Sequence, residues 1–237
     1  MEAAFLEKFS PLLDELREGS FVALITMTGS CCPVTTAHYM AFECSRQLLM
    51  GDGLTRPTRE QFAEVLGLLS LNGDRHVGEK LHAKGMPSIP YVDRAQLVDM
   101  ATADVPWMSF NPTREHIAAD WMQRRWPTLR FIRYALNGAD DVFKYQKWRS
   151  SAPDRRFVTM GRPGFTEKVI LGAKRHGVDL DQGYFIVGPE LPDISSTAVR
   201  RALQEGDGQA LEGLLHPSVA AWLLKSGIYG GTGHRKM

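Results

Sequence analysis

The chain has 237 residues, with 28 Lys+Arg against 27 Asp+Glu, 43% hydrophobic residues and a formal net charge of +1. That length can bury a sizeable core, and the ordinary hydrophobic and charged fractions exclude disordered, collagen-like and low-complexity classes. A charge so close to zero provides no general field for nucleic acid or an anionic membrane, so any bound anion must be met by a local cluster of donors.

Phe5, Phe9, Leu12, Leu13 and Leu16 recur at helical spacing, which predicts a docked amphipathic helix within residues 1–18. The same stretch carries Glu2, Glu7, Asp14 and Glu15 and lacks a basic start, so it is not read as a signal or transit peptide. Phe21 to Met27 is a short apolar run that predicts a strand buried on both faces. Thr36 to Met50 reads as a helix ended by Gly51-Asp52-Gly53, and Val65 to Leu71 as a second strand closed by Asn72-Gly73. A helix is expected over Tyr91 to Met100, a short strand over Trp107 to Phe110, and a helix over Thr113 to Arg125 with Thr113 as its cap. Leu129 to Leu136 is the next strand, stopped by Asn137-Gly138, followed by a strand over Arg156 to Met160 and a helix over Phe165 to Arg175. Tyr184 to Val187 is the last strand, and helices over Ser196 to Gln204 and Ser218 to Lys225 close the chain.

Strand and helix alternate without a linker or an internal repeat. The expectation is one α/β domain over residues 1–237: a Rossmann-like, doubly wound parallel sheet with helices on both faces and a C-terminal helical segment over 193–229. No apolar run approaches the ~20 residues needed to cross a bilayer. Cys31, Cys32 and Cys44 are odd in number and form no Cys-x-x-Cys, which argues against a disulfide framework or a cysteine zinc site. The expected setting is a reducing compartment, cytoplasmic or nuclear, since His234-Arg235-Lys236 is too short for an import signal.

Two segments carry candidate chemistry. The first strand runs into Thr28-Gly29-Ser30-Cys31-Cys32-Pro33-Val34-Thr35-Thr36-Ala37-His38. Its glycine permits a tight turn, and its small side chains let a phosphate approach backbone N–H groups. Thr35 or Thr36 can cap the next helix, placing His38 in the first turn to donate to a phosphate oxygen. The alternative is a structural turn with a half-exposed histidine. Downstream, Asp193-Ile-Ser-Ser-Thr-Ala-Val-Arg200-Arg201 follows another strand. Ser195 or Ser196 can cap its helix, the hydroxyls of Ser196 and Thr197 can point at the N-terminal anion site, and Arg200 lies one turn further along. The alternative there is an ordinary capped helix with two solvated arginines.

Together the segments are more specific than either alone. The first resembles the Gly-Ser-Phe-Asn/Asp-Pro-x-His/Thr-x-x-His segment of the nucleotidyltransferase superfamily, and the second matches that superfamily's Ile-Ser-Ser-Thr-x-x-Arg. Lys84-Gly85-Met86 through Tyr91 and Asp93-Arg94, Asn137-Gly138-Ala139-Asp140 with Lys147-Trp148, and Leu215-His216-Pro217 through Gly227-Ile228-Tyr229 resemble segments of nicotinamide mononucleotide adenylyltransferase, especially its eukaryotic type. The resemblance spans about Phe21 to Tyr229 in the right order.

The resemblance implies that Gly29, Ser30 and His38 face the phosphates of ATP, and that Ser196, Thr197 and Arg200 close on the triphosphate. His38 and Arg200 are the implied catalytic residues. Gly138 and Asp140 would meet the ATP ribose. On the mononucleotide side it implies Ser30, Lys84, Phe110, and Trp148 stacked on the nicotinamide ring. Lys84, His82 and Lys80 compete for the lysine's phosphate-binding role. Trp148 has a core reading too, which the flanking Lys147 and Arg149 weigh against. Mg²⁺ is expected on the phosphates and water, with no metal site built by the protein, and a homo-oligomer is expected. The chain departs from the family at Cys31 and Cys32, at Ala37 in place of Gly, and at Pro192 in place of Asn.

The implied reaction joins ATP to nicotinamide mononucleotide, giving NAD and pyrophosphate. The alternatives are a preference for nicotinate mononucleotide and a non-catalytic binding or chaperone protein on the same scaffold. A redox role for Cys31-Cys32 is a further possibility raised by their position in the turn.

Overall fold

The apolar runs form six parallel strands, and the amphipathic stretches between them form helices. The computed structural model describes residues 4–51 and 58–230. Glu2, Asp52-Gly53 and His234-Arg235-Lys236 lie outside the described residues. In chain order the elements are α1 (Ala4–Leu13), β1 (Phe21–Gly29), α2 (Thr36–Met50), β2 (Phe62–Leu71), α3 (Asp74–His82), α4 (Tyr91–Thr102), β3 (Met108–Asn111) and α5 (Glu115–Arg125). Then come β4 (Arg130–Gly138), α6 (Ala139–Tyr145), β5 (Arg156–Gly161), α7 (Thr166–Arg175), β6 (Phe185–Glu190), α8 (Ser196–Glu205) and α9 (Pro217–Ser226). Lys147–Ser150 is a 3-10 turn.

The strands form one sheet in the order β3-β2-β1-β4-β5-β6, which is the doubly wound arrangement. Parallel register places Thr26 opposite Ala135, Tyr134 opposite Arg156 and Leu69 opposite Phe110. The order reverses between β1 and β4, and such sheets bind ligands beyond the carboxyl ends of the strands at that point. Those ends are glycines: Gly29 in β1 and Gly138 in β4.

The described residues pack as two compact units. The first comprises Met1–Met27, Met40–Ser70 and Pro106–Leu191 and holds the sheet with α1, most of α2, α5, α6 and α7. The second comprises Thr28–Tyr39, Leu71–Val105 and Pro192–Met237 and holds the turn after β1, α3, α4, α8 and α9. No helix among the described residues is long and apolar enough to cross a membrane.

In the sheet unit, Val22 to Ile25 of β1 and Val65, Leu66, Leu68 and Leu69 of β2 are buried, which explains their unbroken apolar character. Gly67 lets α2 sit close: a Cβ there would lie 2.7 Å from the Phe42 ring. α1 buries Phe5, Leu6, Phe9 and Leu13, with Phe5 stacked on Trp121 of α5 at 6.3 Å. Two helices were not legible as such. α3 buries only Val77 and Leu81, and α6 spans seven residues. Thr113 does not cap α5: its N–H and hydroxyl both donate to Asn111 Oδ1, and the helix begins at Glu115. The Asn111 carboxamide captures Thr113 first, so the chain turns before it coils.

Arg156 opens β5 and is buried, donating to Glu60 Oε1 (2.7 Å), Tyr134 Oη (3.0 Å) and the Pro153 carbonyl (2.9 Å). Its hydrogen bond is the main cause holding the Glu60 carboxyl below the usual carboxylate range, while burial pushes the Tyr134 hydroxyl up to about 12. A depressed carboxylate contributes stability above its unfolded pKa, about 4.3, and loses it as pH falls through the folded value. Glu60→Gln is therefore expected to lower stability at pH 7 by about 2 kcal/mol. The variant and the parent should converge as pH falls below the carboxylate range, which thermal unfolding against pH measures.

Candidate functional site

In the second unit, the segment after β1 is a tight turn whose carbonyls point at side-chain donors. Cys31 sits at φ 38°, in the left-handed region, and Cys32-Pro33 is a cis peptide. Arg94 Nη1 donates to the Ser30 carbonyl at 2.9 Å. Arg200 Nη1 donates to the Cys32 carbonyl at 2.6 Å, and Ser196 Oγ donates to the Pro33 carbonyl at 2.8 Å. In a trans peptide the C=O and the following N–H point in opposite directions. With the Ser30 carbonyl turned toward Arg94, the Cys31 N–H faces the other way and makes no hydrogen bond among the described residues. Successive amides aimed out of a turn with a left-handed residue form an anion-binding concavity.

His38 lies in the first turn of α2. Its Nδ1 accepts from the Thr35 N–H at 3.0 Å and lies 2.8 Å from the Thr35 hydroxyl. A backbone amide can only donate, so Nδ1 carries a lone pair and the ring proton of the neutral imidazole is on Nε2. His38 is thus set as a donor through Nε2. Thr36 does not cap α2 with its hydroxyl. It donates instead to the Gly213 carbonyl at 2.7 Å, and its N–H donates to the Leu214 carbonyl at 3.0 Å.

The downstream segment departs from the solvated-arginine alternative at Arg200 and from the anion-site expectation at Ser196. Arg200 is only 4% exposed and is not solvated. Besides Cys32 it donates to Thr197 Oγ1 (2.9 Å) and to Met86 Sδ (3.2 Å). Each terminal nitrogen still carries a second N–H, so the fork can brace the turn and reach a phosphate together. Ser196 does not aim its hydroxyl proton at the N-terminus of α8, because the Pro33 carbonyl takes it. Ser195 is the cap, accepting from the Ala198 N–H at 3.2 Å. Arg201 matches the solvated reading, paired with Glu205 on the surface.

Three residues of this region were given no role from the sequence, although Arg94 and Tyr229 lie in segments that carry the resemblance. Arg94, on α4, is completely buried. It spans the Ser30 carbonyl, the Ile89 carbonyl and Asp74 Oδ1, each at 2.9 Å, and lies against the Tyr91 ring. Its signal was present in the sequence: an arginine three and four positions before Leu97 and Val98 occupies the apolar stripe of a helix. Tyr229 places its hydroxyl 3.2 Å from Cys32 Sγ, and burial pushes that hydroxyl upward. Asp74 is the partner of Arg94 at the start of α3.

Lys80, His82 and Lys84 are all exposed on α3 or the turn after it. Gly85 takes φ 65° there, where a side chain would strain. Of the three, Lys80 is the one whose charge acts on Cys31.

In the sheet unit, Gly138 ends β4 and precedes α6, where a Cβ would lie 2.8 Å from Asp140 Oδ1. Asp140 is half-exposed and pairs with Arg162 at 3.2 Å. Asn137 Oδ1 accepts from Lys147 Nζ, which also pairs with Asp141 at 2.6 Å. Phe110 is half-buried in β3. Trp148 corrects an expectation: despite Lys147 and Arg149 it is 5% exposed, within the cluster of Ala139, Val142, Phe157, Val169, Ala173 and Phe185. The bare Gly172 admits it, since a Cβ there would lie 2.7 Å from the indole. The charged neighbours leave through the 3-10 turn while the ring goes in.

No family model and no curated protein matches the chain. Among solved structures it is similar to a nicotinic acid mononucleotide adenylyltransferase of Plasmodium falciparum, in structures complexed with NaAD and with APC. Both align at 15% identity with a TM-score of 0.55, covering 87% of this chain and 97% and 96% of the other chains. That likeness establishes a shared fold.

Cys31 and Cys32 are each 2% exposed, and burial is the main cause that pushes the Cys31 thiol up to about 12. The reactive species is the thiolate, so the redox reading of the pair is not supported. At pH 7.5 a dithiobis reagent is expected to label only Cys44 rapidly in the folded protein and all three thiols in urea. Rapid labelling of Cys31 or Cys32 in the folded protein would contradict this packing.

Proposed function

We propose that this chain is a nucleotidyltransferase that moves the adenylyl group of ATP onto a pyridine mononucleotide, forming NAD or its nicotinate analogue and pyrophosphate. The observation that carries the reading is the turn after β1, where two buried arginines and the half-buried Ser196 take the carbonyls of Ser30, Cys32 and Pro33, and the Thr35 N–H on Nδ1 sets His38 as an Nε2 donor. The motif resemblance from Phe21 to Tyr229 supports the choice of reaction, as does the fold shared with the P. falciparum enzyme.

A phosphate monoester is largely dianionic at neutral pH, its second pKa being roughly 6, so the attacking 5′-phosphate needs no general base. Its oxygen forms a bond to the α-phosphorus of ATP as the bond to the bridging α–β oxygen breaks, and pyrophosphate leaves with that electron pair. The protein's task is to position the reactants and neutralise charge. His38 donates from Nε2 to a phosphoryl oxygen, and Arg200 supplies its second N–H groups to the triphosphate. The turn amides at Gly29, Ser30 and Cys31 line the same anion. Ser196 and Thr197 act mainly by bracing the turn and Arg200. The donors here are N–H groups and guanidinium, which suit phosphate rather than a cation. Mg²⁺ would enter on the triphosphate, held by its oxygens and water.

Gly138 and Asp140 are assigned to the ATP ribose, with Arg162 sharing the carboxylate. Phe110 and Trp148 are assigned to the pyridine ring, and for Trp148 this requires the indole to shift off Gly172. Lys84 is assigned to the mononucleotide phosphate, with Lys80 and His82 as the neighbouring alternatives. Nicotinate and nicotinamide mononucleotide are equally supported.

Incubation with ATP, Mg²⁺ and each mononucleotide is expected to yield the corresponding dinucleotide and pyrophosphate. No product from either would overturn the assignment. His38→Ala is expected to lower turnover roughly 100- to 1000-fold with an unchanged circular dichroism spectrum. Near-normal turnover in that variant would remove His38 from the chemistry.

A further inference from the structure

We propose that Arg94 is the positioning residue of the phosphate turn, acting on bound nucleotide through the Ser30–Cys31 peptide rather than by touching it. This rests on the nucleotide reading above. The side chain is 0% exposed, and a guanidinium taken fully out of water is costly unless its donors are met. Each of its three nitrogens has an acceptor from a separate part of the chain: Nη1 the Ser30 carbonyl, Nε the Ile89 carbonyl before α4 and Nη2 the Asp74 carboxylate at the start of α3, each at 2.9 Å. The Tyr91 ring lies 5.6 Å away and supports the guanidinium as well. Such a plane has little rotational freedom, and it holds the Ser30 carbonyl from one direction.

The consequence passes through the peptide. Fixing the Ser30 carbonyl fixes the Ser30–Cys31 plane, and with it the direction of the Cys31 N–H, which makes no hydrogen bond among the described residues. Cys31 needs that restraint, since its φ of 38° is a conformation that a non-glycine residue rarely holds alone. Arg94 and Arg200 divide the turn between them, one taking the carbonyl before Cys31 and the other the carbonyl after it. Each arginine uses one N–H on each nitrogen, but Arg94 is neutralised by the Asp74 carboxylate and lies wholly inside, whereas the partners of Arg200 are a carbonyl, a hydroxyl and a thioether. A lysine cannot reproduce this, because one ammonium point charge cannot address three acceptors in a planar array.

The test is steady-state kinetics of Arg94→Lys at a temperature well below unfolding. KM for ATP should rise about tenfold, with a parallel weakening of inorganic pyrophosphate binding by calorimetry, as for one lost hydrogen bond to a charged group. KM for the mononucleotide should change less than twofold. A merely structural role would reduce the active fraction, lowering kcat while leaving both KM values alone. That outcome in a folded Arg94→Lys overturns the proposal. Asp74→Asn, at the exposed member of the trio (60% exposed), removes the charge but keeps an acceptor for Arg94, which retains the fold should the lysine variant fail to fold. It should raise KM for ATP about two- to threefold with KM for the mononucleotide unchanged. An unaltered KM for ATP there also overturns the proposal. Parent protein that binds no pyrophosphate overturns the nucleotide reading itself, while a parent that binds beside indifferent variants overturns only the role of Arg94.

Discussion

The capture of the turn carbonyls by Arg94, Arg200 and Ser196 is the interaction on which the candidate site depends. Backbone carbonyls in a surface turn usually face water, which solvates them without direction. Here Ser30, Cys32 and Pro33 turn theirs to Arg94, Arg200 and Ser196. The two arginines lose hydration by being buried, and that cost is offset by multiple hydrogen bonds in fixed geometry. Turning the carbonyls one way turns the intervening amide the other way. A neutral peptide segment acquires a positive face without any cationic side chain at its surface.

The same logic governs His38. The Thr35 N–H donates to its Nδ1, so the neutral imidazole is held in the form that donates through Nε2. The thiols at positions 31 and 32 fit this arrangement as small buried groups. Cys32 Sγ accepts from the Ile89 N–H and contacts the Tyr229 hydroxyl, so Cys32 ties the turn to α4 and the C-terminal segment.

Much of the fold was readable because six apolar runs and most helices are long or strongly periodic. β1, α2, α4, α7 and α8 fall within a few residues of their expected bounds. α3 escaped notice because its two buried residues, Val77 and Leu81, make too narrow a stripe, and α6 because it is too short to show a period. Thr113 was expected to cap α5 because a threonine before a polar run is a good cap in isolation. The neighbouring Asn111 side chain competes for it and prevails locally. Trp148 was misjudged because its charged neighbours say nothing about Gly172, whose missing side chain makes room for the ring.

The near-zero net charge of the chain already required any anion site to be local, and the sequence alone supplied its ingredients in order: a glycine turn, His38, an Ile-Ser-Ser-Thr segment and Arg200. Doubly wound topology was also legible, since alternating strand and helix patterns are local properties. Only the tertiary structure decided where the donors point. Arg200 and Cys32 are 168 positions apart in the chain, Ser196 and Pro33 are 163 apart, and Arg94 and Ser30 are 64 apart. Hydrogen-bond direction depends on the relative placement of both partners, and nothing within the reach of a local pattern encodes a partner that distant. The sequence therefore determined which groups are present, and packing determined that two arginines act partly by turning a backbone rather than solely by meeting a ligand.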